Sequence, residues 1–246
     1  MGFTHLLLDC DGVMVDSERA SCEALRRAIL EVTGTDIPHR FPEDFVHVFG
    51  LDVRSCVAWY SNSKISDSKI SISISIDPDT VRAIEVAKEA HYRELTRNGV
   101  RAFDGVELLM RRALAAGLRV GVASSGSRAK ILRNLGTSGL LIPELIPEPD
   151  TAIVSAAQVA AGKPAPDVFL AVMANTGCTD PRRALVVEDA IHGLQAGRAA
   201  GAFTVGITNS LPAHLLAPWA DRVIAHLDEL TLERTESGGD PLKELS

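Results

Sequence analysis

The apolar positions change period along the chain. Leu6-Leu7-Leu8 is an unbroken apolar run, which predicts a short strand buried on both faces. From residue 18 the period becomes helical. Cys22, Leu25, Ile29 and Val32 share one stripe over 18–32, Asp16 and Ser17 stand where a helix cap is wanted, and Gly34 ends the pattern. Pro38 and Pro42 mark a loop, and Phe45, Val48 and Phe49 predict a short amphipathic helix that stops at Gly50. Another helix opens at Leu51-Asp-Val-Arg54 and runs to about Tyr60. Asp77-Pro78-Asp79 sets proline and acids at the start of the next, which runs to about Arg97. Residues 61–76 interrupt this series with a low-complexity Ser/Ile alternation. Period two alone suits a strand. Between two helical patterns it reads as an expanded surface loop that carries no chemistry.

From Val100 strands and helices alternate. Arg119–Ala123, Ala152–Val154, Ala184–Val187, Phe203–Ile207 and Arg222–Ile224 are short buried-strand candidates. A helical pattern over 105–116 precedes them, and others over 127–136, 166–174 and 190–200 separate the first four. Such alternation predicts an α/β fold, a doubly wound parallel sheet with helices on both faces. Residues 1–15 and 101–246 would form this core, and 16–100 an inserted α-helical cap that acts as a lid. The polar tail after residue 233 is expected to fray.

Composition narrows the function classes. The 246 residues suffice for one large core, or one core and a smaller domain, and 46% apolar content is that of a globular protein. A net charge of −7, from 25 basic and 32 acidic residues, argues against a nucleic-acid partner. It leaves room for a local basic pocket. No apolar run reaches membrane-spanning length, so no membrane partner is expected. Cys10, Cys22, Cys56 and Cys178 show neither CxxC nor zinc spacing and read as free thiols in a reducing compartment. With no signal peptide in front of the first strand, the expected location is intracellular, in the cytoplasm or an organellar stroma. A monomer or weak dimer is expected.

Chemistry gathers at the ends of the apolar segments. Asp9 and Asp11 follow the first strand, one residue apart, and face the same way if the extended geometry persists. Gly12 lets the backbone turn after them. Cys10 between them faces away and reads as a structural thiol. Two carboxylates at the carboxyl end of a buried strand are costly without a counter-charge. A hard divalent cation with oxygen ligands, Mg²⁺, fits them. Ser124 follows the second core strand and opens a helix, where its hydroxyl and the next amides can hold an anion. Lys163, in Gly162-Lys-Pro164, supplies a cation, and Glu188-Asp189 end another strand with two more acids. Strand ends of a parallel sheet converge on one edge, which would bring these groups around one metal and one phosphoryl group. Taken singly, each piece has a plain structural use: a capping turn for Ser124, a surface lysine for Lys163, a helix cap for Glu188-Asp189.

In this order the motifs resemble the haloacid dehalogenase superfamily, in its branch with a helical cap after the first strand. The stretches Asp9-Cys-Asp11-Gly-Val, Ser124, Gly-Lys163-Pro-Ala-Pro-Asp and Val-Val-Glu188-Asp189-Ala-Ile-His-Gly carry the likeness. Within that branch the chain is most similar to the β-phosphoglucomutase-like phosphatases. The resemblance implies a Rossmann-like core and a phosphate monoester of a small metabolite, a sugar phosphate, as substrate. It implies Asp9 as nucleophile forming an aspartyl-phosphate and Asp11 as general acid and then base. It implies Mg²⁺ on Asp9, the Asp11 carbonyl and Asp189, with Glu188 near or water-bridged. Ser124 and the Ser125 amide would hold phosphate oxygens, and Lys163 would pair with nucleophile and phosphoryl group. In the cap it implies substrate contacts from Gly50 and Arg54, in Gly50-Leu-Asp-Val-Arg54, and from Lys88. Metal-free dehalogenases of the superfamily do not keep the second aspartate, so Asp11 points to phosphoryl chemistry. The β-phosphoglucomutases place a histidine in the first turns of the opening cap helix, where this chain has Ser21. That favours a phosphatase over a phosphosugar mutase, the alternative. A non-catalytic metabolite-binding protein on the same fold is the third reading.

Overall fold

The run His5–Leu8 forms β1, and a parallel sheet is built outward from it in both directions. The computed structural model describes residues 2–62, 74, 76–230 and 232. Most of the Ser/Ile segment 61–76 and the tail after 233 lie outside the described residues. The chain divides into two compact units: Met1–Asp16 with Val100–Ser246, and Ser17–Gly99.

In the first unit, the strands after β1 are β2 (Arg119–Ser124), β3 (Ile153–Ser155), β4 (Ala184–Glu188), β5 (Phe203–Ile207) and β6 (Arg222–Ile224). Among the described residues they form one six-stranded sheet in the order β3-β2-β1-β4-β5-β6, every neighbouring pair parallel. The chain winds outward from β1 to β3, then returns to β4 on β1's other side. That reversal of direction is where open α/β sheets bind ligands, at the carboxyl ends of the strands. It falls at the residues after β1, between the ends of β2 and β4.

Alternation within β1 buries both faces. Leu6 and Leu8 join Val120, Val122, Leu185 and Val187 on one side, and Leu7 joins Ala123, Val154 and Val186 on the other. The nine leucines and valines among them, at about 1.5–3 kcal/mol each, hold the sheet edge that positions the polar groups. The β1 register is pinned on both sides, with Leu8 opposite Val122 in β2 and Val187 in β4.

In the second unit, α1 (Glu18–Thr33), α2 (Val53–Asn62) and α3 (Pro78–Leu95) account for most of the chain. Cys22, Leu25 and Ile29 are buried, and Gly34 ends α1 at φ 70°. The side chain of Asp77 caps α3 by accepting from the amides of Asp79 and Thr80. Three local expectations need correction. Ser17 is the N-cap residue of α1, but its hydroxyl makes no capping bond. The segment with Phe45, Val48 and Phe49 holds only a 3₁₀ turn, Glu43–Phe45, followed by turns to Gly50, because these buried side chains are accommodated without a continuous helix. α3 stops at Leu95 rather than near Arg97, where the Thr96 hydroxyl donates back to the Tyr92 carbonyl and Gly99 turns at φ 86°.

The helices of the first unit are α4 (Val106–Ala115), α5 (Arg128–Thr137), α6 (Pro149–Ala152), α7 (Asp167–Asn175), α8 (Ile191–Ala199) and α9 (Ala213–Leu216). α7 lies close on the sheet. A side chain at Gly121 in β2 would meet Val172 at 2.6 Å and Leu7 at 2.9 Å.

Candidate active site

Every buried Asp, Glu, Lys or Arg among the described residues belongs to one region: Asp9, Asp11, Lys130, Lys163, Glu188 and Asp189. β1 delivers the first of them. The Asp9 amide donates to the Val187 carbonyl (3.1 Å), which carries sheet pairing one residue past the strand. Gly12 then turns the chain at φ 81°, and no other residue fits there, since a Cβ would lie 1.8 Å from an Asp189 carboxylate oxygen.

Lys163 is the hub of the first group. Its Nζ donates to Asp9 Oδ1 (2.5 Å), Glu188 Oε1 (2.6 Å) and the Ala123 carbonyl (3.0 Å), so all three ammonium protons have acceptors. Its side chain has no solvent exposure, and the Phe169 ring of α7 lies 5.1 Å from Nζ. Burial by itself would lower the lysine's pKa. The Asp9 and Glu188 carboxylates outweigh it and hold the ammonium above its ordinary value. The other Glu188 oxygen accepts from the amides of Asp189 (3.2 Å) and Ala190 (3.4 Å). Gly193 in α8 makes room for that side chain, since a Cβ there would sit 1.9 Å from Glu188 Cδ. The Ser210 hydroxyl, on the loop after β5, donates to Asp189 Oδ2, and Asn209 beside it holds the Gly12 carbonyl (2.8 Å).

Asp9, Glu188 and Asp189 each offer a carboxylate oxygen within 4.8 Å of the others. These are hard oxygen donors of the kind that hold Mg²⁺. The charge balance asks for such an ion: four buried carboxylates face two buried ammonium groups, leaving two negative charges in excess. Asp9 registers that excess. Burial pushes its carboxyl well above the usual range, Lys163 opposes the rise, and Glu188 and Asp11 add to it.

Asp11 lies apart from that trio. Its Oδ2 pairs with Lys130 Nζ (2.8 Å) and its Oδ1 accepts from Asn134 Nδ2 (3.1 Å), both on α5. The turn before α5 is tied down by two hydroxyls. Ser124 Oγ accepts from the Gly126 amide (3.1 Å), and Ser155 Oγ, at the end of β3, donates to the Gly126 carbonyl (2.6 Å). A Cβ on Gly126 would meet Lys130 Cδ at 3.2 Å, Ser124 Oγ at 3.5 Å and Asp11 Oδ2 at 3.6 Å, so these three share one corner. Ser125 is half-buried next to it. Cys10 packs into the apolar core, its thiol raised by burial first and then by Asp11 and Asp9, which suits an inert structural role.

The strand ends thus gather Asp9, Asp11, Ser124, Lys163, Glu188 and Asp189 within one unit. Gly50, Arg54 and Lys88 belong to the other unit. There Gly50 turns at φ 76°, Arg54 is exposed on α2 and Lys88 is half-buried on α3. Sequence reasoning missed Lys130, Asn134, Ser155, Asn209 and Ser210. A signal existed for the first two: a lysine and an asparagine four apart on the buried stripe of α5, beside Ile131 and Leu135.

Such a sheet, with acids at the carboxyl ends of β1 and β4 and a lysine between them, is of the haloacid dehalogenase type. The family model described as haloacid dehalogenase-like hydrolase matches residues 6–207, and the chain belongs to that family. It is 31% identical over 244 residues to the beta-phosphoglucomutase of Mycobacterium bovis, covering 91% of this chain and 90% of that protein. It is 30% identical over 216 residues to SUPPRESSOR OF QUENCHING 1 of Arabidopsis thaliana, a chloroplastic protein of which it spans only 18%. The fold matches that of CbbY from Rhodobacter sphaeroides, solved in complex with phosphate, with a TM-score of 0.74 at 22% identity over 93% of this chain and 96% of that one. The family description is that of a hydrolase, and the Mycobacterium relative is by name a phosphomutase.

Proposed function

We propose that the protein is a Mg²⁺-dependent phosphatase that hydrolyses a small phosphorylated metabolite, a sugar phosphate, through an aspartyl-phosphate. The observation that carries this reading is the Asp9–Lys163–Glu188 contact with Asp189 beside it. It sets a carboxylate nucleophile, a charge-neutralising ammonium and an oxygen donor set at one sheet edge. Asp9, the Asp11 carbonyl and Asp189, with Glu188 near, would hold Mg²⁺. Bound there, it would neutralise charge on the phosphoryl oxygens.

The remaining chemistry falls to the chain. An Asp9 oxygen attacks phosphorus while the ester oxygen departs with a proton from Asp11. Asp11 then takes a proton from water, the water oxygen attacks phosphorus, the bond to Asp9 breaks and inorganic phosphate leaves. Lys163 keeps Asp9 in place and balances charge throughout, and Ser124 with the Ser125 amide holds phosphoryl oxygens. Gly50, Arg54 and Lys88 would select the organic part of the substrate, with Arg54 reaching a second anionic or hydroxylated group. An Arg54→Ala variant with unchanged kcat/KM across a panel of sugar phosphates would remove that assignment.

A mutase reading is favoured by one observation, the 31% identity to a beta-phosphoglucomutase over nine-tenths of both chains. Ser21, buried on α1, stands where the mutases resembled here carry a histidine. One assay separates all the readings. Purified protein is given 4-nitrophenyl phosphate and β-glucose 1-phosphate, with and without Mg²⁺, and both inorganic phosphate and glucose 6-phosphate are measured. Mg²⁺-dependent phosphate release, absent in Asp9→Asn, is expected. Glucose 6-phosphate formation that depends on a bisphosphate primer would make it a mutase. Turnover no greater than that of Asp9→Asn would leave a binding protein.

A further inference from the structure

Lys130 and Asn134 stand on α5 at a spacing of four, so their side chains leave the same face of the helix. Neither residue is where its chemistry would ordinarily put it. A helical lysine normally keeps its ammonium in water, and burying one is costly without an acceptor. Asparagine is a weaker helix former than the alanine or leucine that could fill the same space. Here both are buried, and both reach the same carboxylate, one on each oxygen: Lys130 Nζ to Asp11 Oδ2 and Asn134 Nδ2 to Asp11 Oδ1. Two donors on two oxygens fix the plane of a carboxylate as well as its place, which a single contact does not. The anchor is itself braced, because Ser127 caps α5 by accepting from the Lys130 amide, and Ser155 and Ser124 hold the Gly126 turn in front of it.

We propose that Lys130 and Asn134 are positioning residues that orient the Asp11 carboxyl group for proton transfer to the leaving oxygen and from water. The inference rests on the reading of Asp11 as the acid–base group given above. Its physical content is that an acid–base group contributes only when its oxygen lies within hydrogen-bond reach of the reacting oxygen. A carboxyl group free to rotate about its last bond spends most of its time elsewhere. Lys130 and Asn134 act through Asp11 and leave the nucleophile's own contacts, which run through Lys163, untouched.

The test uses leaving groups. Ester oxygens of alkyl phosphates need a proton to depart, whereas 4-nitrophenolate does not. Lys130→Met, Lys130→Arg and Asn134→Ala are compared with wild type on glucose 6-phosphate and 4-nitrophenyl phosphate, in the Mg²⁺-loaded protein, with melting curves to establish folding. Lys130→Met is expected to lose about 10–100-fold in kcat/KM on the alkyl ester and less than about fivefold on the aryl ester, with KM little changed. Asn134→Ala is expected to show the same pattern more weakly, and Lys130→Arg to regain part of the loss. In an Asp11→Asn background, Lys130→Met should change the residual aryl phosphatase rate less than about twofold, because the route through Asp11 is already gone. Equal losses on the two esters, full losses in the Asp11→Asn background, or no loss at all in a folded variant would each overturn the proposal. A wild-type protein that turns over neither ester would overturn the phosphatase reading itself, and this inference with it.

Discussion

Replacing Lys163 with methionine removes a cation but little volume, and the structure sets the size of the effect. Its ammonium donates to two carboxylates and one carbonyl in a place with no solvent. Without it, Asp9 and Glu188 are buried acids that face each other with no counter-charge. Removing one partner of a buried ion pair costs about 3–5 kcal/mol. For a chain of this size each kcal/mol moves Tm by roughly 2–4 °C, so a fall of roughly 6–20 °C is expected in metal-free protein. Added MgCl₂ should recover part of it, because the ion binds the folded carboxylates and not the unfolded chain. The cycle with Glu188→Gln sharpens the test. Neutralising the orphaned acid should make the Lys163→Met/Glu188→Gln double variant more stable than Lys163→Met alone, by about 0.5–3 kcal/mol. If the same differential acts on the transition state, kcat/KM of Lys163→Met falls by about 10²–10⁴. Thermal unfolding followed by circular dichroism, with EDTA and with MgCl₂, reads the first two effects. A Tm within about 2 °C of wild type in EDTA, or a double variant no more stable than the single, would refute the electrostatic account.

Two glycines and one histidine give further expectations. Gly193→Ala would drive a Cβ to 1.9 Å from Glu188 Cδ, so it should lower Tm and weaken Mg²⁺ binding measured by calorimetry; unchanged affinity would show that Glu188 does not shape the metal site. Gly12→Ala adds backbone strain at φ 81° to a clash with Asp189, at a cost of about 1–3 kcal/mol for the strain alone, and a Tm equal to wild type would contradict it. His5 is buried at the opposite end of β1, with Nε2 3.1 Å from the Thr176 carbonyl. Burial, together with Arg119 and Arg183, holds its pKa below the ordinary value, while the Thr176 contact opposes. Its contribution to stability is therefore fully present above about pH 6.5 and is lost as pH falls through the lower folded value. Tm should fall more steeply between pH 7 and pH 5 in wild type than in His5→Gln, and parallel curves would refute the assignment; Asp9 is common to both proteins, so the difference isolates His5.

Much of the sheet was legible because each strand is a short apolar run ended by a polar signal. Leu6–Leu8, Ala184–Val187 and Phe203–Ile207 all lie in strands, and the alternation with helices gives the parallel sheet. Asp9, Lys163, Glu188 and Asp189 could be placed together because strand ends of a parallel sheet share an edge. Legibility failed where the deciding contact is tertiary. The segment from Phe45 to Phe49 is apolar at helical spacing, but Phe45, Val48 and Phe49 are buried from a 3₁₀ turn and the turns after it. Alternation suggested that Asp9 and Asp11 face one way. Yet the strand ends at Leu8 and Gly12 turns the chain, so the two acids have different cations, Lys163 and Lys130. Lys130 and Asn134 share the stripe of Ile131 and Leu135, but their common partner, Asp11, appears only once α5 is packed with that face inward. Asn209 and Ser210 sit in an ordinary polar loop whose role appears only when β5 lies beside β4.

The central claim is that Asp9 carries the phosphoryl group during turnover. The direct measurement is acid quenching of the protein during hydrolysis of a phosphate monoester, borohydride reduction and peptide mass spectrometry. Reduction of an acyl phosphate at residue 9 yields homoserine there. The expected result is homoserine at position 9 in wild type, formed only with Mg²⁺ and substrate, and none in Asp9→Ala. Brisk turnover with position 9 unmodified, or modification at another carboxylate, would contradict the account.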